Sequence, residues 1–150
     1  MLSAKLFATL AILQLGLALL ESKTGHQSID VYFHATYFVI AKFHLQTLLA
    51  VVNGFFGLVY FAASRWVSHP LNNSLGLTHF VLATIGFVLL SVSLPALRSA
   101  AASGSPAVQT INYWPFVASA LGLLCFLLGC AILAVNCGWT AIRAFQPRNG

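Results

Sequence analysis

Charge is what this sequence has least of. Seven basic and two acidic side chains occur among 150 residues, 6% of the chain. A soluble domain carries about 25%, so these few charges cannot cover a water-facing globule, and an ordinary cytosolic enzyme is excluded. Disorder is excluded as well: it needs low hydrophobicity, and 59% of these residues are hydrophobic. The net charge of +5 is not gathered anywhere, because Lys5, Lys23, Lys42, Arg65, Arg98, Arg143 and Arg148 stand singly. Without a basic patch there is no footprint for nucleic acid. Cysteine is scarce too. Cys125, Cys130 and Cys137 sit at spacings of five and seven in one apolar segment, which does not gather three thiolates around one metal; they read as small packing residues. Internal repeats and low-complexity tails are absent.

What is present is long apolar sequence. A helix needs about 20 apolar residues to cross the hydrocarbon core. Four stretches approach this: Leu6–Leu20, Thr36–Ala63, Leu77–Leu97 and Pro115–Ala141. The first is short enough to resemble a signal-peptide core, but no small-x-small cleavage pattern follows it cleanly, and it is read as a retained helix. Pro115 suits a first helical turn. Glycines 54, 57, 122 and 129 read as close-packing positions. The expected fold is an all-α, integral membrane four-helix protein forming a single domain over residues 1–150, because a backbone in lipid must satisfy its own hydrogen bonds. Its expected surroundings are the lipid bilayer and other membrane subunits or a homo-oligomer. Lys5, Arg65, Arg143 and Arg148 fall on one side and Lys23 and Arg98 on the other. That bias places both termini on the cytoplasmic or matrix side of a bacterial inner or other energy-converting membrane.

The informative polar residues lie in the segment from Tyr32 to His44. An ionisable side chain in hydrocarbon is costly unless partnered, which makes Lys42 and His44 candidates for function. On a helix they stand about 200° apart, so the pair cannot serve one metal. His44, about 12 Å along a helix counted from Thr36, would share a face with Tyr37, Ala41, Leu48, Val51 and Phe55. A neutral imidazole there could ligate iron or copper, or simply bond within the bundle. Lys42 can snorkel along its own stem or lose its proton when buried. His26 and His34 fall outside or at the interface, His69 in the inner loop, and His79 near the inner end of the third helix.

The run His34-Ala35-Thr36-Tyr37-Phe38-Val39-Ile40-Ala41-Lys42-Phe43-His44 resembles the tenth transmembrane helix of heme-copper oxidase (cytochrome c oxidase) subunit I. The family pattern there reads His-Asp-Thr-Tyr-Phe-Val-Val-Ala-His-Phe-His. Leu75–Phe80 with Ile85-Gly86-Phe87 resembles the eleventh helix, and Asn112-Tyr113 with Ala118–Gly122 the entry to the twelfth. The resemblance covers roughly residues 30–140, the last three helices of that subunit.

By this resemblance His44 holds the position of an axial ligand to the low-spin heme, and His34 one near heme propionates. Tyr37 and Ala41 would border the ring, and Arg98 is the nearest counterpart of paired arginines that follow the eleventh helix. Lys42 stands where the family has the proximal histidine of the oxygen-reducing heme, and Ala35 where it has an aspartate. The copper ligands belong to earlier helices, for which this sequence offers no counterpart, so no copper is expected. Oxygen reduction needs a five-coordinate heme beside copper, and the resemblance therefore implies ancestry without oxidase activity. Two readings follow. In one, the chain is a non-catalytic subunit of a larger energy-converting complex that binds one b- or a-type heme through His44 as its metal ligand, for electron transfer, with a second axial ligand from a partner or second copy. In the other, it is a cofactor-free structural or assembly subunit of a respiratory or other membrane complex.

Overall fold

The computed structural model describes residues 2–24, 28–33, 36–66, 71–102 and 114–145. Four helices are long and apolar enough to cross a membrane: α1 (Leu2–Thr24), α2 (Lys42–Trp66), α3 (Asn73–Ala102) and α4 (Trp114–Phe145). The expected four-helix membrane protein is there, with one addition. Between α1 and α2 runs an antiparallel ribbon of β1 (Ser28–Phe33) and β2 (Thr36–Ala41), in register from Ser28 opposite Ala41 to Phe33 opposite Thr36.

The ribbon corrects the expected second span, whose first six residues are β2. The physical reason is composition. Ile29, Asp30, Val31, Tyr32 and Phe33 pair with Ile40, Val39, Phe38, Tyr37 and Thr36 across the ribbon, and the β-branched and aromatic residues that make up all but Asp30 suit a pleated surface. In a helix the β-branched ones lose side-chain freedom. Strand edges are not tolerated against lipid, and the ribbon is the connection between the two apolar helices α1 and α2. The first span is longer than expected, because Ser3 and Lys5 at one end and Glu21 to Lys23 at the other wind into α1. Its 23 residues are enough to cross a bilayer. Helices α3 and α4 likewise outrun the expected 77–97 and 115–141. Pro115 occupies the first turn of α4 and is buried.

Asn72 fixes the start of α3. Its Oδ1 accepts the backbone N–H of Ser74 at 2.8 Å, and its carbonyl accepts that of Gly76 at 3.0 Å, the bonding of an N-cap. Asn136 on α4 grips the same residue at two points, accepting its N–H at 2.9 Å and donating to its carbonyl at 3.1 Å.

The helices pack as two antiparallel pairs, α1 with α2 and α3 with α4, with α1 against α3 between them. Small residues set the close approaches. A Cβ on Gly86 would stand 2.7 Å from the Gly122 carbonyl, and one on Gly122 would stand 3.0 Å from the Gly86 carbonyl. The backbones of α3 and α4 therefore touch, which is how helices associate where lipid removes the hydrophobic drive. Gly57 likewise lies against the backbone of α1 and Gly129 against His79. The interior where the two pairs meet is aromatic. Phe7 lies 5.3 Å from Phe56, 5.8 Å from Tyr60, 4.9 Å from His79 and 5.1 Å from Phe80, centroid to centroid.

Candidate functional site

His44 is the third residue of α2 and sits in its first turn, at the end of a helix long and apolar enough to cross a membrane. The expected depth of about 12 Å counted helix from Thr36 and is corrected by the ribbon. The expected helical face is corrected with it. Tyr37 and Ala41 are strand residues, paired with Tyr32 and Ser28, and do not line one helical face with His44. What remains of that face is Leu48, Val51 and Phe55, all exposed and continued by the exposed Leu58, an outward apolar stripe spaced at helical intervals. His44 is itself exposed, with its ring 3.9 Å from that of Phe43. Lys42 opens α2, and Arg98 lies in the last turns of α3. His34, His26 and His69 lie outside the described residues.

The imidazole inside the bundle is His79, which sequence reasoning placed near a helix end and did not single out. It is fully buried at the junction of all four helices. Phe7 of α1, Phe56 and Tyr60 of α2 and Gly129 of α4 surround its ring. Its Nδ1 lies 3.1 Å from the Tyr60 hydroxyl, while Nε2 is buried with no partner. Asn136 also lies beside that hydroxyl, which links the His79 pair to the Asn72 clamp.

One heptad along α2 from Tyr60, Asn53 is fully buried. Its Nδ2 donates to Gln14 Oε1 of α1 at 2.8 Å and to the Leu49 carbonyl at 3.0 Å, and its Oδ1 is unpaired. On the other side of the bundle, the hydroxyls of Ser93 and Ser119 meet at 2.7 Å. Gln14, Asn53 and Asn136 were missed because they are uncharged. The signal that could have found them is spacing: Phe7 and Gln14 on α1, and Asn53 and Tyr60 on α2, each recur at seven residues and so return to nearly the same face.

Cys125, Cys130 and Cys137 are partly buried along α4, in keeping with packing roles. Among the described residues, no three His, Cys, Asp or Glu side chains converge as a metal site would require. For a heme, His79 does not fit as an axial ligand. One nitrogen is bonded to Tyr60, and rings and the Gly129 face close off the rest. His44 fits as one axial ligand, its ring being exposed above an apolar wall. His79 cannot supply the other: it contacts Tyr60, which lies about 24 Å along α2 from His44.

The pattern of the family described as cytochrome c and quinol oxidase polypeptide I matches residues 6–97, taking in α1 and ending in α3. Cytochrome c oxidase subunit 1 of Thermostichus vulcanus is 34% identical over 62 residues, 41% of this chain and 11% of that protein. Cytochrome c oxidase subunit 1 of Synechocystis sp. is 24% identical over 115 residues, 76% of this chain and 21% of that protein. The chain thus spans only a minor part of the length of either relative. No solved structure matches it. An integral membrane chain of four apolar helices that carries this match over most of its length belongs to the cytochrome c and quinol oxidase polypeptide I family.

Proposed function

We propose that the chain is a non-catalytic, cofactor-free structural subunit of a larger energy-converting membrane complex. The observation that carries this reading is the closed interior. The junction of the four helices is filled by Phe7, Phe56, Tyr60, His79 and Phe80 at centroid separations of 4.6–5.8 Å, and His79 is spent on a hydrogen bond to Tyr60. Lys42, in the position where the resemblance has the proximal histidine, supports the absence of oxidase chemistry, since a protonated amine is no iron ligand.

A second reading has its own observation. The exposed His44 imidazole above Leu48, Val51 and Phe55 supports one heme held there for electron transfer, with the opposite axial ligand from a partner subunit or a second copy. Bound heme would supply one-electron redox chemistry, and this chain's part would be to offer the imidazole and an apolar wall that excludes water.

Reduced-minus-oxidised visible spectra of the purified native complex separate the two. The structural reading expects no Soret or α band that depends on His44, and a His44→Leu complex that assembles at wild-type yield. A heme signal that disappears in His44→Ala establishes the second reading and removes the first.

A further inference from the structure

The chain has two acidic residues, Glu21 and Asp30, and both lie toward one end of the bundle. Glu21 is in the last turns of α1, and Asp30 is on the ribbon that joins α1 to α2. The contacts of Phe7 with Tyr60, of Tyr60 with His79 and of Asn72 with Asn136 fix the opposite end. There the start of α1, the end of α2, the start of α3 and the end of α4 come together, and Lys5, Arg65 and Arg143 are exposed. No acid of this chain is placed to neutralise them.

The two arginines are held alike. The Arg65 guanidinium lies 5.7 Å over the Phe61 ring and that of Arg143 lies 5.1 Å over the Trp139 ring. A guanidinium resting on a ring keeps its in-plane N–H edge free, and that edge fits two oxygens of a phosphate. Both arginines stand in the last turn of a helix long and apolar enough to cross a membrane, from where a long basic side chain reaches toward headgroups. Beneath them the helix faces are apolar and exposed, Leu58 and Phe61 on α2 and Val135 and Trp139 on α4. An acyl chain can lie along each.

We propose that this end of the bundle is a binding surface for anionic phospholipid, with Arg65 and Arg143 each gripping a headgroup phosphate and Phe61 and Trp139 supporting both the guanidinium and the acyl chain. The apolar faces favour a lipid over free phosphate. A phosphatidylcholine headgroup brings a quaternary ammonium that finds no Asp or Glu side chain at this end, so selection is for net negative charge.

The test uses the full chain in vesicles, with Trp139 as the remaining tryptophan after Trp66→Phe and Trp114→Phe. Quenching by brominated phosphatidylglycerol is compared with quenching by brominated phosphatidylcholine at equal mole fraction. The phosphatidylglycerol lipid quenches more strongly, and its apparent affinity at Trp139 falls about fivefold for Arg143→Gln, with helical circular dichroism unchanged. Equal quenching by the two lipids overturns the proposal, as does a preference that survives Arg143→Gln. So does displacement of the bromolipid by inorganic phosphate at millimolar concentration, which would make the ligand a free anion. The unaltered chain gives a second readout: anionic lipid enriched over zwitterionic lipid in mass spectra of the detergent-purified protein, an enrichment lost in the double variant of Arg65→Gln with Arg143→Gln. Equal retention of both lipid classes also overturns the proposal.

Discussion

The buried side chains of Gln14, Asn53, His79 and Ser93 each bond a side chain of another helix. The Gln14–Asn53 bond at 2.8 Å joins α1 to α2, and losing one partner strands the other away from water. Gln14→Leu alone leaves Asn53 with fewer partners than it has polar atoms, Asn53→Leu alone strands Gln14, and the double substitution leaves neither. Equilibrium unfolding in mixed micelles is expected to show each single variant destabilised. The double variant should be less destabilised than the sum of the two, with a coupling energy of about 0.5–2 kcal/mol; additive losses would mean that the bond contributes nothing. At this scale the sequence was legible where a residue was charged and opaque where it was not. Lys42 and His44 drew notice because ionisable groups stand out in apolar sequence, yet they open α2 at its rim. His79 sits at the centre, but a histidine six residues into a helix (Asn73 to His79) gives no sign of whether it faces lipid or protein until the partner helices are placed.

Glycine separates packing from propensity at the scale of the helix. Gly86 and Gly122 stand where α3 and α4 touch backbone to backbone, with carbonyls 2.7 and 3.0 Å from the added Cβ positions. A carbonyl in a helix cannot swing aside, so Gly86→Ala must push the helices apart and give up packing along the whole seam. Gly16 and Gly138 have nothing within 4 Å of an added Cβ, and there alanine removes only the conformational cost of glycine. Thermal denaturation in detergent is expected to show Gly86→Ala destabilised by 1 kcal/mol or more, about the cost of forcing extra volume into a packed contact. Gly16→Ala and Gly138→Ala are expected to gain about 0.5–1 kcal/mol each. The existence of four helices could be read from apolar length alone, because lipid leaves a spanning backbone few choices. Helix ends were legible where a cap or proline marks them, as at Pro115. They were not legible at Thr36–Ala41, where an apolar run suits a strand as well as a helix and the choice rests on the matching run at Ser28–Phe33. That ambiguity carried Tyr37 and Ala41 onto the wrong element and displaced the expected site.

The molecule as a whole is two helical pairs joined at one aromatic junction. Within each pair, small residues bring backbones together: Gly57 against Ala4 and Ala8, and Gly86 against Gly122. Between the pairs the contact is made largely by side chains, and Phe7 is its hub, touching Phe56 and Tyr60 on its own pair and His79 and Phe80 on the other. Truncating Phe7 to alanine leaves a cavity at that junction, while the Cβ by which Phe7 meets the Gly57 seam is kept and the Gly86–Gly122 seam is untouched. The loss, on the order of 2 kcal/mol from unfilled packing, should therefore fall on the docking of the pairs. Hydrogen exchange of the full chain in nanodiscs is expected to show Phe7→Ala speeding exchange around Phe56–Tyr60 and His79–Phe80. The amides flanking Gly86 and Gly122 should keep their protection, because α3 and α4 still hold each other. A uniform loss of protection across all four helices would mean that the bundle unfolds as one unit and that the junction is no weaker than the seams. Retained protection at His79 would mean that Phe7 only fills space there, and that the Tyr60–His79 and Asn72–Asn136 bonds carry the docking instead.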